Sequence, residues 1–318
     1  NCVTGVQTCA RPICFEAHYM DYQANFFKQC GQSRFSMLAD NVKQPFNEYL
    51  GLLLNFGIIG LLVLLLLMVI IIYCYRKNPS VEKQIAFYSL SSIGIFSFFS
   101  YPFAYPFVWV VTFLSIFIIT SEYIKPLFSN ILIKKIACMF ILTYSLFGSS
   151  KLFERIQAEL DWGKASTLAL CKSYNETLPT YERLEKMFVS NPYFLYNYAA
   201  VLQEMKQYTE SLEVALKCRQ YWADYDLELI IGENYQQLNK PELAEKYYNS
   251  ASMMCPSRFL PLYKLFHLYK TNGEKERSLA MAEAVISKPM KIKTTTIRMM
   301  KREMEREIQK MNMSIKLE

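Results

Sequence analysis

Between Arg34 and Tyr49 the chain brings together side chains that could do chemistry. They are the cations Arg34 and Lys43, the carboxylates Asp40 and Glu48, the amides of Asn41 and Asn47, and the phenol of Tyr49. A carboxylate can take a proton from a hydroxyl nucleophile, a cation can neutralise a departing anion, and amides and phenols orient a polar substrate. Their position adds to their interest, because an apolar run follows at once. From Gly51 to Tyr73 there is no charge, and Asn55 is the only strongly polar side chain. Metal chemistry is not expected: the nine cysteines form no C-x-x-C pair, and the only histidines are His18 and His267. His18, between Ala17 and Tyr19, reads as a structural residue, and no metal or cofactor is implied.

The elements that would hold these residues are membrane helices. The run from Gly51 to Tyr73 is long enough to cross a hydrocarbon core of roughly 30 Å. Three further spans are expected, at about Ile85–Phe99, Phe107–Thr120 (reaching Tyr123) and Ile131–Phe147, with a rigid turn, Y-P-F-A-Y-P, over Tyr101 to Pro106. Arg76, Lys77 and Lys83 fall between the first two spans, and Lys125, Lys134 and Lys135 between the last two, whereas the turn between the second and third carries no charge. By the positive-inside rule the two basic loops are cytoplasmic. The 35-to-50 loop and everything after Ser150 then lie on the opposite side, the periplasm of a Gram-negative cell.

The composition agrees with two unlike parts. In 318 residues, 52% are hydrophobic and 15% aromatic, yet the mean hydropathy is only +0.08. The apolar part ends near Gly148-Ser149-Ser150, and a mixed, charged part follows. The net charge of +7 is spread thinly with no basic-aromatic patch, which argues against a nucleic-acid partner.

Beyond residue 150 the sequence repeats. Gly232, Tyr235, Ala244, Tyr248, Ala251 and Pro256 stand at the tetratricopeptide positions of small residue, tyrosine, alanine, aromatic, alanine and terminal proline. One period earlier come Ala199, Leu202, Ser211, Ala215 and Cys218. One period later come Phe266, Tyr269, Gly273, Ser278 and Ala284, closing at Pro289. A weaker copy covers Leu168 to Pro192, and the tail from Thr294 places Ile297, Met300 or Met304, Ile308 and Met311 at helical spacing, as a capping helix would. Cys171, Cys218 and Cys255 read as free thiols in the repeats, and Asp224, Tyr225, Asp226 and Arg258 as a polar patch for a protein partner or glycan.

The stretch Phe35 to Leu50 entering F-G-I-I-G (Phe56 to Gly60) resembles the O-antigen ligase and polymerase superfamily. There a periplasmic loop ends in a His-Asn-x-x-Leu type motif, followed by a Gly-x-x-Gly step and a span. Asn47, Tyr49, Leu50, Gly57 and Gly60 match, and Phe46 stands where many members carry the histidine. N-P-Y-F-L-Y-N-Y-A-A (Asn191 to Ala200), D-Y-D-L (Asp224 to Leu227), M-C-P-S-R-F-L-P-L-Y-K-L (Met254 to Leu265) and K-P-M-K-I-K (Lys288 to Lys293) look like the C-terminal part of such proteins of the Bacteroides type. The resemblance implies transfer of a glycan from an undecaprenyl-diphosphate carrier to an acceptor such as lipid A core, with no nucleotide sugar and no obvious metal. Within it, Asn47 and Glu48 are the catalytic candidates. Arg34 or Lys43 would contact the diphosphate, Asp40 or Glu48 would accept a proton, Asn41 lies beside them, and Tyr49 with Asn47 would orient the sugar.

Val3 to Ile13 resemble a translated sequencing adapter, so the natural chain is expected to extend upstream. The expected organisation is therefore an adapter remnant over 1–13, a periplasmic loop over 14–50, transmembrane helices over 51–149, repeats over 150–290 and a basic capping tail over 291–318. The fold class is all-α: a four-span bundle followed by a tetratricopeptide-repeat solenoid in the inner membrane and periplasm. The rival readings are an O-antigen or capsule polymerase and a non-catalytic membrane-anchored scaffold.

Overall fold

The computed structural model describes residues 14–31, 34–127 and 131–315. The segment read as adapter lies outside them. All regular secondary structure among the described residues is helical: α1 (Cys14–Cys30), α2 (Glu48–Lys77), α3 (Val81–Phe96), α4 (Pro106–Leu127), α5 (Ile131–Leu170), α6 (Tyr174–Leu184), α7 (Pro192–Glu204), α8 (Tyr208–Arg219), α9 (Tyr225–Gln237), α10 (Pro241–Met254), α11 (Leu260–Thr271), α12 (Lys275–Ser287) and α13 (Thr295–Ile315), with a 3-10 turn at Pro102–Ala104. The chain forms two compact units. One comprises the start through Phe15 with Lys43–Gln157, and the other Glu16–Val42 with Ala158–Glu318.

In the first unit α2, α3 and α4 run up, down and up. At one end Glu48 N donates to Ser97 O (2.9 Å) and Phe103 N donates to Oε1 of Glu48 (3.0 Å). At the other, Asn78 Nδ2 donates to Glu122 (2.8 Å), and buried Lys83 pairs with the same carboxylate at 3.0 Å. Both ends of α3 are therefore pinned beside both ends of α2 and α4. The core between them is small, built on Cys74, Ala86 and Ile119, while large apolar side chains such as Ile59, Leu66, Phe107 and Phe113 face outward. Two described helices are long and apolar enough to cross a membrane, α2 and the Pro106–Tyr123 part of α4. Of the four expected spans, these two meet that criterion: α3 has only 16 residues, and α5 runs unbroken through Gly148-Ser149-Ser150, where the composition changes. α2 is itself interrupted. Gly57 takes φ 66° and ψ −163°, a conformation open essentially to glycine alone, so two helical pieces meet there.

The second unit is a stack of helix hairpins. α7, α9 and α11 start 33 and 35 residues apart, as tetratricopeptide repeats require. The first helix of each hairpin buries Ala199, Gly232 or Phe266, and the second buries Ser211/Ala215/Cys218, Ala244/Tyr248/Ala251 or Ser278/Ala282/Val285. The predicted register holds at these positions, while Tyr235 is half-buried, Gly273 is exposed and Ala284 is half-buried beside the fully buried Val285. A further hairpin precedes these: the end of α5 packs Ala158 and Ala165 against Tyr181 and Leu184 of α6. Ala165 lies 34 residues before Ala199, so this repeat begins inside α5, earlier than Leu168. At the other end α13 lays Ile297, Met300, Met304, Ile308 and Met311 over α12 and α11.

Candidate functional site

Residues 47 to 49 form a polar corner of the first unit. Asn47 adopts extended backbone and caps α2, its Oδ1 accepting from Leu50 N (2.8 Å) while Nδ2 donates to Phe98 O (3.0 Å). Glu48 receives the Phe103 N–H on Oε1, and Oε2 has no hydrogen-bond partner among the described residues. Tyr49 donates its hydroxyl to Gly94 O (2.8 Å) and packs its ring 4.4 Å from that of Phe98. Each side chain thus closes a gap that α3 and the 3-10 turn would otherwise leave: helix ends carry unpaired N–H and C=O groups, and these three residues satisfy four of them. Phe46 packs 5.6 Å from Tyr101, also at this end. Chemically, the corner offers one half-buried carboxylate and one amide at the mouth of an apolar bundle. Lys43, an exposed residue, belongs to the same unit.

The other three candidates belong to the unit that carries the repeats. Arg34 is exposed, its guanidinium 4.8 Å from the Phe35 ring centroid. Asp40 accepts from Arg258 at 2.8 Å and lies 3.5 Å from Lys291. Burial pushes its carboxyl up, but the bond from Arg258, the Asn41 N–H and the neighbouring cations outweigh it and hold the group below its usual range. Asn41 Nδ2 donates to Asp224 Oδ2 (2.7 Å). The polar residues singled out there are only partly covered: Asp224 is buried, caps α9 through Asp226 N and Leu227 N, and takes Asn41 as a lid, whereas Asp226 and Arg258 are exposed.

Sequence reasoning missed a charge cluster built on buried Glu228. Arg219 pairs with Glu228 and, at 2.5 Å, with Asp21 of α1. The two carboxylates raise the Arg219 pKa against the effect of burial. No spacing rule could have found this pair, since Asp21 and Arg219 are 198 positions apart. Cys30, Cys74, Cys138, Cys171, Cys218 and Cys255 are free thiols. No group of His, Cys, Asp and Glu among the described residues could hold a metal ion.

No family model matches the chain, and no curated protein sequence matches it significantly. Among solved structures it is similar to YrrB, described as a tetratricopeptide protein with an unusual peptide-binding site. That match has 19% identity and TM-score 0.37, and spans 40% of this chain and 66% of YrrB. It is also similar to MamA (13% identity, TM-score 0.39, 48% of this chain and 89% of that one) and to a MamA RS-1 double mutant (16%, 0.37, 47% and 76%).

Proposed function

We propose that this chain is a membrane-embedded glycan ligase of the O-antigen ligase type, transferring a glycan from an undecaprenyl-diphosphate carrier, with the Asn47–Glu48 corner as its reactive end. The observation that carries this reading is the corner itself. Asn47 and Tyr49 of the resemblance motif, with Glu48 between them, lie at one end of a bundle whose outer face is apolar, where a lipid-linked diphosphate would present its sugar. Glu48, with Oε2 unused, can take the proton of an acceptor hydroxyl, while Asn47 and Tyr49 orient the sugar and hold the corner rigid. Lys43, in the same unit as the corner, would meet the diphosphate.

Packing inside the repeat unit supports the topology. α1 and residues 39–41 pack on the repeats. The proposal puts the chain before α2 and the repeats on one side of the bilayer, with an even number of crossings between residues 42 and 158. α2, α3 and α4 alternate in direction and supply three crossings, even though α3 spans only about 24 Å. α5, about 60 Å long, supplies the fourth. With Arg76, Lys77 and Lys83 cytoplasmic, the repeats lie in the periplasm.

Glu48→Gln tests the reading, because the amide oxygen still accepts from Phe103 N while the base is lost. Transfer of a carrier-linked glycan should fall by roughly 10²-fold or more at unchanged membrane level. Full transfer by Glu48→Gln would sink the assignment. A second reading, a membrane-anchored scaffold, is favoured by the structural use of Asn47 and Tyr49, and under it no variant at the corner changes transfer. A polymerase would share the corner and differ in acceptor.

A further inference from the structure

The three connections after α8, α10 and α12 share one feature: they grip the chain segment that precedes α2. Ala223 N donates to Glu16 O (2.8 Å), and Arg219 binds Asp21. One repeat on, Met254 O accepts from Gln23 (2.6 Å), Ser257 Oγ donates to Ala39 O (3.4 Å) and Arg258 binds Asp40. Beyond the next hairpin Lys291 reaches the same carboxylate, and Lys288 steadies the Arg258 turn by donating to its carbonyl (2.7 Å). Asp224 and Arg258 are 34 positions apart, so Asn41 and Asp40 are held at equivalent places in consecutive repeats. Met20, fully buried among Ala223, Tyr225 and Met254, is the apolar anchor of this segment.

The segment adds Met20 to the core of the hairpins it covers, with Tyr19 and Ala24 beside it, and its other grips described above are polar. The hairpins bury their own small and aromatic positions against one another. On α1 large side chains such as Tyr22 and Phe26 stay exposed (60% and 43%), and the Arg258–Asp40 pair is open to water at both ends. Exposed pairs exchange readily with competing charges. Arg219 is different: it neutralises buried Glu228 whether or not Asp21 is present, so this anchor point remains formed when the segment leaves.

We propose that the ladder of inter-repeat turns, Arg219, Asp224, Arg258 and Lys291, is a docking site for an acidic, amide-bearing protein segment. Its present occupant is the chain's own segment, α1 with residues 39–41, acting as a releasable strap, and a partner protein presenting the same groups displaces it. This inference does not depend on glycan transfer.

The test uses the full chain in lipid nanodiscs and a fluorescent peptide of residues 16–42 as probe. Asp21→Lys with Asp40→Lys should release the strap, so that the peptide binds this variant at least tenfold more tightly than the unsubstituted chain. Adding Arg258→Glu should cost at least tenfold, and a peptide carrying Asp40→Arg should recover it. Equal binding by the released and unsubstituted chains overturns the proposal, as does no binding by a released chain with unchanged thermal unfolding. A second measurement covers a variant that fails to fold. In the unsubstituted chain, saturating peptide should raise hydrogen exchange of the amides of α1, and unchanged protection overturns the idea equally.

Discussion

A methyl group at position 232 would sit 2.6 Å from Cε1 of Tyr248, closer than packed carbon atoms approach. Tyr248 cannot retreat, because it is fully buried and its hydroxyl donates to Gln236 (2.9 Å). Gly232→Ala should therefore destabilise the repeats by about 1–3 kcal/mol, read as a lowered thermal midpoint. Tyr248→Phe in the same background should not restore it, since the clash is with ring carbons. Both residues were legible in the sequence, because a small residue facing an aromatic one is what the repeat period demands. Val285 was less so: Ala284, its small neighbour, fits the consensus better by type, and only packing reveals which of the two faces the core. Asp21, Arg219 and Glu228 were not legible at all, since each looks like an ordinary surface charge until the fold closes around it.

Helix α2 illustrates what pattern can and cannot give at the next scale. Its apolar length is plain in the sequence, whereas its break at Gly57 is not, because the Gly-x-x-Gly step reads equally well as a site of close helix packing. At Gly57 a side chain is excluded by backbone conformation, since no atom lies within 4 Å of the place a Cβ would occupy. Gly57→Ala should lower the thermal midpoint of the detergent-solubilised chain, or straighten α2 and weaken the 3.2 Å bond from Phe15 N to Asn55. Gly148→Ala is the control. It too meets nothing within 4 Å but sits in ordinary helix, where alanine should be neutral or gain about 0.5–1 kcal/mol. A midpoint unchanged by Gly57→Ala would mean that the break costs nothing to lose. The weak first copy, read from Leu168, was started too late for a related reason. The first helix of the first hairpin is the tail of α5, and its repeat positions, Ala158 and Ala165, follow an apolar stretch with no turn residue to announce them.

For the molecule as a whole, the crossing number is the sharpest expectation. A phosphatase fused after Glu318 should be active, and a cysteine-directed, membrane-impermeant reagent should label an introduced Ser80→Cys only after the cytoplasmic face is opened. An inactive fusion with Ser80→Cys labelled from outside would invert the topology. A fusion and position 80 reporting the same side would mean that α3 or α5 does not cross. The buried thiols of the repeats add a property of their own. Cys218 donates to Pro192 O, and burial pushes both it and Cys255 up to about 12. At pH 7 only ~10⁻⁵ of either is thiolate, the form that attacks disulfides and metals. In an oxidising compartment these two sulfurs are shielded by kinetics and need no partner. Their reaction with an aromatic disulfide is limited by how often the hairpins open, so an unmodified chain carries its own clock for unfolding.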